Sequence, residues 1–186
     1  MTRSYKTEAI VVKRRNFGEA DRVLTVLTKN FGKIQVRAPG VRRITSRRSS
    51  HIELLNLSIL TLYKSYKASM PIVTEAQAQE EFLPIKKSLK KIGFAYYICE
   101  LIDGLCADNQ ENRKIFFLVR NTFSQLESSI ENKSIVENFE DNFLTFLGFL
   151  PSNHKVEDKI IFIENILEKK LRTKRLLPLF LSNSEG

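Results

Sequence analysis

Residues 21–48 read DRVLTVLTKNFGKIQVRAPGVRRITSRR, and this stretch decides the fold. Its first eight residues place β-branched or aliphatic side chains at both parities, which predicts a strand buried on both faces. The segment NFGK then predicts a tight turn, in which Gly32 is free to adopt positive φ. In the strand that follows, small apolar residues alternate with polar ones that share the other face: Lys33, Gln35 and Arg37. The stretch therefore predicts a hairpin with one basic face.

Three further segments of the first half read as strands. They are residues 6–15, the long apolar region 51–67, and the segment that follows Pro71. Five short strands in about 80 residues are too few for two packed sheets and favour a small closed or nearly closed barrel. The loop 40–50 has few apolar anchors, so we expect it to be mobile without a ligand, with side chains that no buried group depends on.

After residue 82, apolar residues no longer recur at every second position but at every third or fourth position. Stripes of this spacing run through residues 85–106, 116–130, 135–150 and 156–171, which predicts four helices in an antiparallel bundle. The predicted fold class is α+β. We expect a barrel domain at residues 1–80 and a helical domain at residues 81–186.

Charge is distributed unevenly along the chain. Residues 1–70 hold 15 of the 30 Lys and Arg but only 4 of the 21 Asp and Glu, so the first part carries +11 and the remainder −2. Such asymmetry indicates an acidic partner, and nucleic acid is the commonest one in the cytoplasm. A solvated basic surface, an acidic protein or a membrane face are the alternatives.

Motifs for catalysis or metal binding do not occur in the sequence. It has no phosphate-binding loop, no dinucleotide fingerprint and no nucleophile elbow. Cys99, Cys106, His51 and His154 lack the spacing of a zinc site, and both cysteines fit a helical core. We therefore expect a protein that is not an enzyme, without metal or cofactor. No apolar run reaches the roughly 20 residues of a membrane span, and the N-terminus does not resemble a secretory signal, which predicts a cytoplasmic location.

The basic residues of the barrel are the predicted nucleic-acid contacts, together with two aromatic residues flanked by polar ones. Cations interleaved with stacking rings are typical of barrels that bind single strands. Phe31 and Tyr63 fit the core better. The predicted contacts are Lys13, Arg14, Arg15, Phe17, Lys33, Arg37, Arg42, Arg43, Arg47, Arg48 and Tyr66.

Three segments resemble one protein family. TEAIVVKRRNFGEADRVLTVLT at 7–28, with FGKI at 31–34 and APGVRR at 38–43, resembles the N-terminal domain of the RecO family of bacterial recombination mediators. FEDNFLTFLGFLP at 139–151 is similar to its helical segment, and KLRTKRLL at 170–177 to its C-terminal end.

The resemblance implies an oligonucleotide-binding (OB) barrel followed by a helical domain. It also implies binding of single- and double-stranded DNA, annealing of complementary strands, and recombinase (RecA) loading with RecR on DNA coated by single-strand-binding protein, without nucleotide hydrolysis. Such a protein would work in the bacterial cytoplasm at the nucleoid. Many family members carry a four-cysteine zinc cluster where this chain reads SNHKVEDK, so zinc is not expected here.

Two alternatives stay open at this level: an RNA-binding barrel, and a protein adaptor with a basic face. A second basic cluster near the end of the chain mixes cations with leucines. It suits an acidic peptide with an apolar tip, such as the tail of single-strand-binding protein, or a solvated helix end. Its members are Arg172, Lys174 and Arg175.

Overall fold

A computed structural model describes residues 3–151 and 156–173, and these form two compact units. The first unit takes the described residues up to Glu81 together with Ala107–Phe116. The second takes Phe82–Cys106 and the described residues from Phe117 onward. Segment 107–116 thus returns to the strand-rich unit after the first helices.

Five strands of the first unit close into a barrel in the order β1-β2-β3-β5-β4. Neighbours are antiparallel except β3 and β5, which run parallel and share one register pair, Arg37 with Ile72. This closure, followed by helices, confirms the predicted α+β class with an OB barrel. The strands are β1 Arg3–Phe17, β2 Asp21–Thr28, β3 Gly32–Ala38, β4 Leu57–Lys64 and β5 Ile72–Glu80.

Aliphatic side chains from all five strands fill the barrel. Leu24, Val36, Leu60 and Val73 are fully buried there, and the ring of Phe31 packs against this core as predicted. In β2 every residue from Val23 to Thr28 is buried, which confirms the expectation of a strand covered on both faces.

A β-bulge in β1 decides which of its basic residues face outward. Val11 opposes Val26 in the core, whereas Lys13 opposes Thr25, so one extra residue is inserted between them. A bulge of this kind exchanges the two faces of a strand beyond it. Lys13 and Arg15 therefore lie on the outer face although they have the same parity as the buried Val11.

The predicted long strand at 51–67 is wrong at its start. Residues Ser50–Ile52 form a 3₁₀ turn, Leu55 has φ 73°, and β4 begins only at Leu57. The side-chain amide of Asn56 donates to the Ser50 carbonyl at 2.9 Å, which holds this turn closed. Local side-chain hydrogen bonding here outweighs the β propensity of the apolar residues.

The predicted turn at Gly32 is present, with φ 66°. A Cβ at this position would lie 1.8 Å from the carbonyl oxygen of Gln110, so the backbone of segment 107–111 crosses directly over the turn. The amide of Asn109 donates to the carbonyl of Lys33 at 2.8 Å. Gly32 is required both for its conformation and for this close approach.

Helices of the second unit follow the predicted stripes, with one break. The first stripe divides at Ser88, whose hydroxyl caps the second helix by accepting from the Lys91 amide. Cys99 and Cys106 are buried free thiols as predicted, and burial raises the pKa of Cys99. None of the described helices is long and apolar enough to cross a membrane. The helices are α1 Leu83–Lys87, α2 Leu89–Leu105, α3 Arg113–Ser128, α4 Lys133–Phe146 and α5 Lys159–Leu167.

Candidate nucleic-acid interface

One row of outward-facing side chains runs around the barrel. Arg15 of β1 opposes Val23 of β2, which opposes Arg37 of β3. Arg37 pairs with Ile72 of β5, which opposes Tyr63 of β4. Partners in register share a face, so two guanidinium groups and a tyrosine ring lie along this row. Lys13 lies on the same face, one row further along β1.

Phe17 is an exposed ring with two cations close to it. It ends β1, and 44% of its surface is accessible. The guanidinium carbons of Arg37 and Arg15 lie 5.2 and 6.0 Å from its centroid. Both distances permit cation–π attraction, which holds the ring on the surface although exposure of an apolar ring is unfavourable. The arrangement presents an exposed ring with two cations close to it.

Asp21 positions Arg37 beside this ring. One carboxylate oxygen accepts from Arg37 Nε at 2.8 Å, and the other accepts from the Gly40 amide at 2.8 Å. The Gly40 hydrogen bond and the Arg37 guanidinium hold the pKa of Asp21 below its ordinary value. Asp21 is thus a charged anchor that fixes the end of β3 and the start of the following loop.

Two arginines tie that loop to the barrel at its two ends. Arg42 donates through one guanidinium nitrogen to the carbonyls of Gly18 and Glu19, at 3.2 and 3.0 Å. Arg48 is half-buried and donates to the carbonyls of Val73 and Pro39, at 2.5 and 2.7 Å. The expectation that no buried group depends on the loop arginines is therefore wrong for Arg48. Mobility of the loop without a ligand stays a prediction.

Arg43 and Arg47 lie between these two anchors and are exposed. The Arg43 side chain passes over Gly40, where a Cβ would lie 3.8 Å from its Nε. Arg47 forms no side-chain hydrogen bond or ion pair within residues 3–151 and 156–173. We define the cationic surface as Phe17 with six exposed cations of β1, β3 and the loop 40–50: Lys13, Arg15, Arg37, Arg42, Arg43 and Arg47.

Two of the other predicted cations are engaged within the barrel unit. Lys33 shares the outer face of β3 with Arg37 as predicted, but it is buried there, and its ammonium lies 3.2 Å from a carboxylate oxygen of Asp108. Arg14 faces away from Arg15, since successive residues of a strand alternate between its faces, and it shares the carboxylate of Glu53 with Arg22. Their contact with DNA stays a prediction that these pairings disfavour.

The aromatic predictions have a mixed outcome. Tyr66 is exposed over 77% of its surface in the β4–β5 loop. Tyr63, which the pattern favoured for the core, is 36% exposed at the end of the row described above. Tyr63 and the polar Thr61 are two residues apart in the strand and therefore share a face. That relation could have indicated that Tyr63 lies on the outside of the barrel. Tyr63 is thus an exposed aromatic residue of the barrel that the sequence interpretation missed.

The C-terminal basic cluster is only partly described. Arg172 is exposed, and its backbone amide donates to Glu100 at 2.8 Å. Lys174 and Arg175 lie outside the described residues, as does His154. The described part of the chain holds no group of three or more metal-ligating His, Cys, Asp or Glu side chains.

Comparison with known proteins matches both parts of the chain to one family. The model described as "Recombination protein O N terminal" matches residues 1–82, and "Recombination protein O C terminal" matches residues 86–155. The chain belongs to the RecO family. Curated members of this family carry the name DNA repair protein RecO. The resemblances at 7–28 and 139–151 fall within these matches, whereas residues 170–177 lie beyond them.

Curated RecO relatives extend over most of this chain. A protein named DNA repair protein RecO from Roseiflexus sp. (strain RS-1) is 35% identical over 149 residues, which is 80% of this chain and 52% of the relative. The RecO protein of Dehalococcoides mccartyi strain BAV1 is 35% identical over 147 residues, 79% of this chain and 57% of the relative. The chain thus spans little more than half the length of these relatives.

Proposed function

We propose that this chain binds DNA through the cationic surface and anneals complementary strands in recombinational repair. The observation that carries the proposal is the exposed Phe17 ring beside the guanidinium groups of Arg15 and Arg37. A base can stack on an exposed ring while the flanking guanidinium groups contact the phosphates on either side of it. Membership in a family of DNA repair proteins supports the same ligand.

The binding energy would come mainly from the phosphate backbone. Six exposed cations replace condensed counterions along a bound strand, and release of those ions favours association. Stacking on Phe17 adds on the order of 1–3 kcal/mol and does not depend on which base is present. Binding of this kind tolerates any sequence, as strand annealing requires.

Annealing follows from charge neutralisation. Two strands repel each other through their phosphates, and cations bound to one strand lower that repulsion and raise the local concentration of the other. No step of this mechanism needs nucleotide hydrolysis. We therefore propose a mediator rather than an enzyme.

The two parts of the chain would divide the work. We propose residues 1–80 as the DNA-binding domain and residues 81–186 as a helical domain that contacts other proteins. By analogy with its family, the chain would act with RecR on DNA coated by single-strand-binding protein, and so help to load the recombinase RecA at the nucleoid in the cytoplasm. The cluster that begins at Arg172 is the proposed contact for the acidic tail of the coating protein.

The direct test is annealing of two fluorescent complementary oligonucleotides without nucleotide. The variant Arg43→Glu with Arg47→Glu should lose most annealing, because both side chains are exposed and neither supports the fold. Its matched control is Lys87→Glu with Lys133→Glu, two exposed lysines of the helical unit. Equal annealing by wild type and the loop variant, with both folded by circular dichroism, would refute the proposed surface.

Competition separates the proposal from its main alternatives. Unlabelled DNA should displace a bound single strand at least as well as RNA of the same sequence. Much stronger displacement by RNA would favour an RNA-binding barrel. If the chain bound neither nucleic acid at low salt, the proposed function would fail, and an acidic protein would be the next partner to test.

A further inference from the structure

The barrel contains an opening beside the cationic surface. β3 and β5 meet only where Arg37 pairs with Ile72, so the strands separate toward the start of β3. The opening is a pocket of about 470 Å³ between β3, the residues that precede β5, and segment 108–111. All of its lining residues belong to the barrel unit.

Gln35 presents its backbone to this pocket. Two residues before it, the Lys33 carbonyl accepts from Asn109, and two residues after it, the Arg37 amide donates to Pro71 at 2.9 Å. Alternate residues of a strand direct their backbone groups to the same edge, so the N–H and C=O of Gln35 point into the space between these two contacts. No described residue of β5 is in register with Gln35. The edge thus offers one donor beside one acceptor.

The side chains around this edge are amides and aromatic rings. Asn30, Gln35 and Asn109 line the pocket, and each amide can both donate and accept. Tyr5 and Phe31 form its ring wall, with centroids 4.7 Å apart and planes inclined by 57°. Amides can bond the polar edge of a heterocycle, and rings can contact its face.

The charges of the pocket suit a nucleotide whose phosphate stays outside. Lys64 is an exposed cation among the lining residues. The two carboxylates of the lining are each compensated, since Asp108 pairs with Lys33 at 3.2 Å and Glu111 with Arg113 at 2.8 Å. A base could therefore enter without strong repulsion between these acids and its phosphate.

We propose that this pocket binds a single unpaired nucleobase of the strand held on the cationic surface, an inference that rests on the proposed function. Gln35 is two residues from Arg37, which is roughly 7 Å along a strand, so one strand can reach both places. A peptide adding to the edge of β3 fits less well. Asn109 and Pro71 occupy the edge at either end and leave a single residue between them.

The test fills the pocket and compares strands with and without bases. Ser69 is an exposed lining residue, and Ser69→Trp should fill the opening. Gln77→Trp, on the exposed face of β5 outside the pocket, is the matched control. Wild type and control should prefer a thymine 12-mer to an abasic strand of equal length. Ser69→Trp should reduce that preference about tenfold and leave the abasic affinity unchanged. An unchanged preference would overturn the inference.

A second measurement does not depend on strand binding. Thymidine and adenosine, which carry no phosphate, should shift the backbone amide resonance of Gln35 and the side-chain amide of Asn109 in wild type but not in Ser69→Trp. If nucleosides shift neither resonance, or only a short peptide does, the pocket does not bind bases. If nucleosides bind but no DNA strand does, the pocket stands and the proposed function fails.

Discussion

Removal of two loop arginines should change the salt dependence of DNA binding by a predictable amount. Each cation that contacts a phosphate of single-stranded DNA contributes about −0.7 to the slope of log affinity against log salt. The cationic surface has six exposed cations, so the wild-type slope should be about −4 when all six make contact. Affinity should then fall about 250-fold between 50 and 200 mM salt.

The perturbation is Arg43→Gln with Arg47→Gln, which neutralises two exposed side chains and reverses no charge. The slope should become about −3, with a loss of about 60-fold over the same salt range. Fluorescence anisotropy of a labelled single strand at several salt concentrations measures both values. Lys87→Gln with Lys133→Gln is the control of equal charge, since these exposed lysines lie in the helical unit.

The result that would refute this reasoning is a slope that the loop variant does not change. Such a result would mean that neither arginine contacts a phosphate, even if overall affinity fell. A slope near zero in wild type would exclude binding through the phosphate backbone altogether.

Three further predictions concern stability. In urea denaturation, Arg48→Ala should lower the free energy of unfolding by about 2–3 kcal/mol, because two carbonyls lose a charged donor. The neighbouring change Arg47→Ala should alter it by no more than about 0.5 kcal/mol. Equal changes in the two variants would contradict the role of Arg48 as a loop anchor. Gly32→Ala should lower the free energy of unfolding by at least about 3 kcal/mol, because the new Cβ overlaps Gln110 and the backbone is left-handed. Gly18→Ala should lower it by about 1–2 kcal/mol, because Gly18 has φ 57° but open space around it. Burial raises the pKa of Glu140, so the free energy of unfolding should fall as pH rises above 4.5 toward that pKa, and Glu140→Gln should flatten this slope; parallel profiles would contradict it.

Periodicity alone predicted most of the fold. The alternation at residues 21–28 required a strand with two buried faces, and the change of period after residue 82 located the helices. Gly32 could be assigned to a turn because only glycine adopts its conformation freely. These features depend on neighbours along the chain, and such neighbours are visible in a sequence.

The bulge at Val12 could not be read from the sequence. Lys13, Arg14 and Arg15 look like one basic cluster, yet the extra residue directs the first and third outward and leaves Arg14 with Glu53. A bulge depends on how two strands pair, and a single extra aliphatic residue gives no local signal.

The return of segment 107–111 to the barrel was also missed. Its amide at Asn109 completes the edge of β3 at Lys33, and Asp108 neutralises the lysine that the pattern placed outside. These contacts join residues more than 70 positions apart, and short polar linkers carry no pattern that predicts such pairing. The sequence predicted the residue types of the candidate surface. It did not predict which of those residues are engaged in contacts within the barrel unit.

Photocrosslinking tests the central claim most directly. A single strand with 5-iodouracil at several positions is bound to the wild-type chain at low salt, irradiated and digested, and the crosslinked peptides are identified by mass spectrometry. If DNA lies across the outer face of the barrel, the crosslinks should fall on Phe17 and Tyr63, and Arg43→Glu with Arg47→Glu should abolish them. Crosslinks confined to the helical unit, with none at Phe17 or Tyr63, would contradict the account.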